Sequence, residues 1–138
     1  MAFTGNYSCN TLRTGLMNGS IDFSTDTFYL ALYTNAATLD ETTSAYTTDG
    51  EVVAAGYAPQ AITATVSTQT TASGSIVYVN FSSPSWTAAL TARGALIYKA
   101  GANGAICVLD FGNDKTSTST FAVQMPANTS TSALIRLV

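Results

Sequence analysis

Two apolar runs separated by a short reversal, within Thr91–Gly112 (TARGALIYKAGANGAICVLDFG), constrain this chain more than any other feature. Ala92–Tyr98 and Ala105–Phe111 flank a tract holding Gly101, Asn103 and Gly104. Reversal needs positive φ, which glycine and asparagine tolerate best, so the stretch predicts a β-hairpin. Successive side chains of a strand point to opposite faces. Leu96 and Tyr98 then point one way and Ala95 and Ile97 the other, while Ile106 and Val108 oppose Cys107 and Leu109. A strand apolar on both faces is normally covered on both, which places this hairpin in the middle of a sheet. Arg93 lies inside the first run, so it must be paired or face a partner. Asp110 on the adjacent strand is its candidate partner, and a structural ion pair is the expected use.

The rest of the chain predicts short strands. Ser8–Asn18 reads as the single helix, with Ser8 or Asn10 as cap, Leu12 and Leu16 on one face, Gly15 weakening it and Asn18–Gly19 as the stop. After the polar turn Asp22–Asp26, Thr27–Tyr33 alternates Phe28, Leu30 and Leu32 with Tyr29, Ala31 and Tyr33, again apolar on both faces. Asn35–Gly50 reads as a long surface loop with Tyr46 as its candidate anchor, used either for contact with another subunit or as a simple solvated connection. Glu51–Ala55 reads as a short strand, Ala61–Thr68 as an outer strand with Ile62, Ala64 and Val66 inward, and Ser75–Phe81 as a further strand. Trp86 has two readings, an interface anchor or a lid above the central hairpin. Asn113–Thr120 reads as a polar loop, Thr120–Met125 as a strand with Phe121, Val123 and Met125 inward, and Ala133–Val138 as a last strand pairing with its own sheet or a neighbour's. The expectation is all-β: one domain over residues 1–138, a two-layer antiparallel β-sandwich or jelly-roll-like fold, with residues 1–20 as an N-terminal arm and short helix.

Composition narrows the function classes. Only 9% of residues are charged, against 46% hydrophobic, where about a quarter charged is usual. A sparsely charged surface does little to repel neighbours, which predicts assembly. The net charge of −3 comes with no basic cluster, which disfavours phosphate-driven nucleic-acid binding. Cys9 and Cys107 make neither a disulfide framework nor a zinc pattern. Met1–Asn10 resembles no secretory signal, so the Asn-x-Ser sequons at Asn6, Asn18, Asn80 and Asn128 read as chance, and no run suffices for a membrane span.

The residues also argue against chemistry. There is no histidine, so a nucleophile lacks its usual base, and Lys99 and Lys115 sit at expected hairpin ends. The carboxylate pairs Asp22/Asp26 and Asp110/Asp114 lie at turns, where aspartate commonly accepts backbone N–H groups. Asp110-Phe111-Gly112 spells the kinase metal-binding triplet without its accompanying motifs, and no phosphate-binding glycine loop or calcium loop is present. The expectation is a non-enzymatic chain without metal or cofactor.

The order LMNGSIDFSTDTFYLALYT, EVVAAGY, W-x3-LTARGALIYK and VLDFGNDKTSTSTFAVQMP resembles a group of small tailed-bacteriophage virion proteins. Their pattern reads roughly LL-x-G-x-x-D-x-x-TDT-x-K-x-ALY, then E-V-x-x-x-GY, then W-x-x-x-T-x-TAR-x-A-x-x-Y, then DFG. The resemblance covers most of the chain. Phe28 departs from it, since relatives often carry Lys or another polar residue there, and local repacking is expected. The resemblance implies a virion component assembled in the bacterial cytoplasm: a capsid decoration (cement) protein, trimeric, that binds the major capsid protein and its own copies. Its alternatives are a tail, fibre or head–tail adaptor part, or a carbohydrate-binding β-sandwich using Tyr46, Tyr57 and Trp86. The candidate interface residues are Phe3, Tyr7, Leu39, Tyr46, Tyr57 and Trp86.

Overall fold

A computed structural model describes residues 3–137. In chain order the elements are β1 (Tyr7–Ser8), α1 (Asn10–Asn18), β2 (Phe28–Tyr33), β3 (Gln60–Ile62), β4 (Ala64–Thr71), β5 (Gly74–Phe81), β6 (Ser85–Trp86), β7 (Thr91–Lys99), β8 (Ala105–Thr116), β9 (Phe121–Ala122) and β10 (Ile135–Leu137). All strand pairs are antiparallel. The fold is all-β with one short N-terminal helix, as the alternation predicts. One sheet has the order β1-β8-β7-β2-β3, a second β10-β5-β4, and β6 pairs β9 as a ribbon.

The hairpin β7–β8 and its neighbour β2 form the middle of the five-stranded sheet. Its turn uses Gly101 and Asn103 at φ 101° and 58°. Lys99 N–H donates to the Gly104 carbonyl at 2.7 Å, and a Cβ on Gly104 would fall 1.9 Å from the Lys99 carbonyl oxygen, so only glycine fits. One detail departs from simple alternation. Tyr98 pairs Ala105 and Ile97 pairs Cys107, which leaves Ile106 as the extra residue of a β-bulge. Ile106 therefore shares a buried cluster with Cys107 and Ile97, and Val108 lies with Leu96 and Tyr98 in the other. β8 also runs on to Thr116, past the expected loop start, across an irregular stretch where Lys115 pairs Ala92 and Asp110 pairs Gly94.

The two faces of the central strands are buried differently. On one, Leu30, Leu32, Ile97 and Ile106 join Val79 and Phe81 of β5, Trp86 of β6 and Phe121 of β9 in a single cluster. On the other, Ala31, Tyr33, Leu96, Tyr98 and Val108 are covered by Phe3, Cys9, Ala37 and Leu39. A fully buried Leu or Ile contributes about 1.5–3 kcal/mol, and Leu30, Leu32, Leu96, Ile97 and Ile106 of these strands are all fully buried. Phe28 packs against Phe23 and Phe81 with ring centroids 5.2 and 5.8 Å away, an aromatic trio.

Several expectations are corrected. α1 starts at Asn10 after Cys9 with no side-chain cap: the Arg13 guanidinium donates to the Ser8 hydroxyl and to the Asn10 side-chain amide oxygen, and the Asn10 N–H is satisfied instead by the Glu41 carbonyl at 2.8 Å. The predicted stop holds, with Gly19 left-handed at φ 79°. Gly15 is a contact rather than a weakness, since a Cβ there would meet Ile21 at 2.5 Å. The expected strand at 51–55 is reduced to a single bridge between Glu51 and Tyr33. The expected outer strand 61–68 is two strands in different sheets. It breaks at Thr63, whose carbonyl accepts from Ser82 N–H and whose N–H donates to the Ser82 hydroxyl. Beyond that break Val66 is half exposed instead of inward. Of the expected strand 120–125 only Phe121–Ala122 is paired, although Phe121, Val123 and Met125 are all buried. The C-terminal strand pairs with β5 of its own chain; Val138 lies outside the described residues, as do Met1 and Ala2 of the expected N-terminal arm.

Candidate assembly surface

The polar residues of the sequence motifs are joined to one another inside the subunit. Asp26 of TDT meets Lys99 at 2.9 Å and accepts the Asp22 N–H at 2.8 Å. That backbone hydrogen bond, then the Lys99 ammonium, holds its carboxyl below the usual aspartate range. Arg93 of TAR pairs with Asp110 of DFG, as expected, and its guanidinium lies 5.7 Å from the Phe3 ring centroid. Glu51 accepts the hydroxyls of Tyr46 and Tyr57 at 2.6 Å each. Tyr57 in turn accepts the Leu32 N–H at 2.9 Å, which ties this loop to β2. Burial first, then the Glu51 carboxylate, pushes the Tyr46 and Tyr57 hydroxyls upward. The turn aspartates follow the ordinary reading: Asp22 and Asp40 are lowered chiefly by the hydroxyls of Ser24 and Thr42. Carboxylates so held stay charged acceptors near neutral pH and do not supply protons.

Of the six candidate interface residues, Phe3, Leu39 and Trp86 are buried within the subunit and Tyr7, Tyr46 and Tyr57 are partly exposed. Trp86 is 3% exposed, donates from Nε1 to the Ala58 carbonyl at 2.7 Å and packs between Tyr57 and Phe121. Phe3 is buried above Gly94, where a Cβ would fall 2.5 Å from its ring. Leu39 is buried in the second cluster. Tyr46 stacks on Tyr98 with centroids 4.7 Å apart, and Tyr29 stacks on the same ring at 5.6 Å. Tyr57 is half-buried on Glu51, and Tyr7 is half-buried in β1 with its hydroxyl on Thr4. The long loop 35–50 is likewise drawn onto its own sheet, with Ala105 N–H donating to the Ser44 carbonyl at 3.1 Å. Phe3, Leu39, Tyr7 and Tyr46 join Cys9 and Ala37 over the second apolar face of the five-stranded sheet, while Trp86 and Tyr57 pack in the first cluster. Burial leaves Trp86 unavailable as an exposed platform for the carbohydrate reading.

What faces outward is different. Val53 is 97%, Met17 91%, Leu137 58% and Val66 50% exposed. Leu137 pairs Val77, which is also partly exposed, so the apolar face of the three-stranded sheet runs past the core. A groove of about 400 Å³ opens between β1, α1 and β10, floored by Leu12, Leu16, Leu109 and Leu134 and flanked by Arg13 and Arg136. Neither arginine has a carboxylate within 4 Å among the described residues. Sequence reasoning missed this side. For Val53, Val66 and Val77 the signal was the absence of any charged residue between Glu51 and Arg93.

No family model, curated protein or solved structure matches the chain. Among the described residues no group of three or more His, Cys, Asp or Glu side chains is placed to hold a metal ion. No helix there is long and apolar enough to cross a membrane.

Proposed function

We propose that this chain is a non-enzymatic structural protein of a tailed-bacteriophage virion, a capsid decoration (cement) protein that binds the major capsid lattice as a homo-oligomer. The observation that carries the reading is the use the motif residues find. Asp26 with Lys99, Arg93 with Asp110, and Glu51 with Tyr57 staple the strands of one subunit together. Motifs spent in this way describe a scaffold, whereas a catalytic set would leave its ionisable groups converging on a cleft. The outward side supports the same reading: it offers Val53, Val66, Leu137 and an arginine-flanked apolar groove, with few charges to repel a neighbour.

The mechanism follows from linkage. A protein that binds across the boundaries of coat subunits binds the closed lattice and not the separated subunits, so it raises the free energy of opening. Several weak contacts on one oligomer sum to strong attachment when geometry lets them engage together. The test is thermal genome release from particles with and without this chain. Particles lacking it should release DNA at lower temperature, and adding the purified protein back should restore the value. Particles whose release temperature ignores its presence would contradict the proposal.

A further inference from the structure

The sheet edges of this fold are unequal. Edge strands β1, β3 and β10 have two, three and three residues, and β10 carries Arg136. Short length and charge are the usual means by which an edge avoids pairing with another chain. β4 has neither. It is eight residues long, ATVSTQTT, bonded only to β5, and every residue from Thr68 to Thr71 is exposed. No charge, proline or bulge interrupts it, and its pairing with β5 is regular from Ala64 to Thr71. Alternate residues of such a strand turn their N–H and C=O groups away from the partner strand, so β4 presents an open row of donors and acceptors.

We propose that β4 is the contact between two copies of this chain, pairing antiparallel with the same strand of a second copy across a two-fold axis to make one six-stranded sheet. This stands apart from the virion reading, since it concerns the chain with itself wherever the assembly sits. The second copy fits for three reasons. A partner of either charge gains nothing from a surface without charge, while a copy meets it with no like-charge repulsion. Threonine opposite threonine is a favourable cross-strand pair. A two-fold axis makes any antiparallel edge self-complementary. The geometry also limits the register. Opposed residues share a face, so the core-facing row Ala64, Val66 and Thr68 must oppose its own kind, and the axis passes through a residue and not between two. Centring on Ser67 or Thr68 gives the longest overlap, and either brings half-exposed Val66 against a threonine of the other copy.

The test uses the full chain in solution. Light scattering should give twice the 14.3 kDa chain mass at micromolar concentration. Thr68→Lys, which sets like charges beside the axis at an exposed position, should return the mass to one chain with an unchanged circular dichroism spectrum. Met17→Lys, an equally exposed charge on α1, should leave the dimer intact. Ser67→Cys or Thr68→Cys should cross-link copies with a short bismaleimide. A monomer at every concentration, an oligomer of any size that Thr68→Lys leaves whole, or no cross-link from either cysteine variant overturns the pairing.

Discussion

Raising the pH should unfold this protein through groups that the fold keeps protonated. Burial pushes the thiols of Cys9 and Cys107 from 9.0 up to about 12. Burial likewise moves Tyr98 from 10.0 to about 12 and drives Tyr33 and Tyr57 upward. In each case the folded value lies above the unfolded one. The stability these groups give is therefore complete below about pH 9 and is lost as pH rises through 9–12. One group costs about 1.4 kcal/mol per pH unit in that window, so at pH 11 the two thiols together remove roughly 5 kcal/mol. Tyr33 and Tyr57, held protonated chiefly by burial, add to that loss above pH 10. Domains of this size hold about 5–15 kcal/mol, so the fold should collapse between about pH 10 and 12. Urea unfolding followed by the fluorescence of buried Trp86 would measure it: a constant midpoint from pH 7 to 8.5, then a steep decline. Cys107→Ala should flatten the decline between pH 9 and 10. A midpoint at pH 11 equal to that at pH 8 would refute the reasoning.

Phe28→Lys, which restores the residue common in the phage pattern, should destabilise this chain by several kcal/mol, because an ammonium would enter the trio with Phe23 and Phe81 without a partner; chemical denaturation would check it. Arg93→Ala should lower stability by about 2–4 kcal/mol by leaving part-buried Asp110 unpaired, and Asp110→Asn in the same background should recover part of the loss. Trp86→Ala should cost about 3–5 kcal/mol as a folding defect that lowers the thermal midpoint, where an exposed binding residue would leave it unchanged.

The parts of the fold legible in the sequence were those fixed by local patterns. The doubly apolar runs around Gly101 and Asn103 placed β7 and β8 mid-sheet, Thr27–Tyr33 placed β2 beside them, and the Arg93–Asp110 pair followed from their adjacency. Tertiary choices were not legible. The alternation of residues 61–68 runs unbroken through Thr63, yet the chain changes sheets there, because Ser82 offers that residue both a donor and an acceptor. A bulge at Ile106 adds one residue and turns the side chains after it, with no glycine to mark it. For the candidate surface, an aromatic side chain in a loop reads alike whether it faces water or closes its own core. Trp86 is buried in the core and Tyr46 and Tyr57 pack against it, while the exposed apolar side chains are Met17, Val53, Val66, Val77 and Leu137.

The account stands or falls on whether this polypeptide holds other polypeptides together on a phage shell. Quantitative mass spectrometry of purified particles, counting this chain against the major capsid protein, asks that most directly. A fixed ratio that follows the symmetry of the capsid lattice is the predicted result. A handful of copies per particle would move the chain to the tail, and its absence from particles would contradict the account.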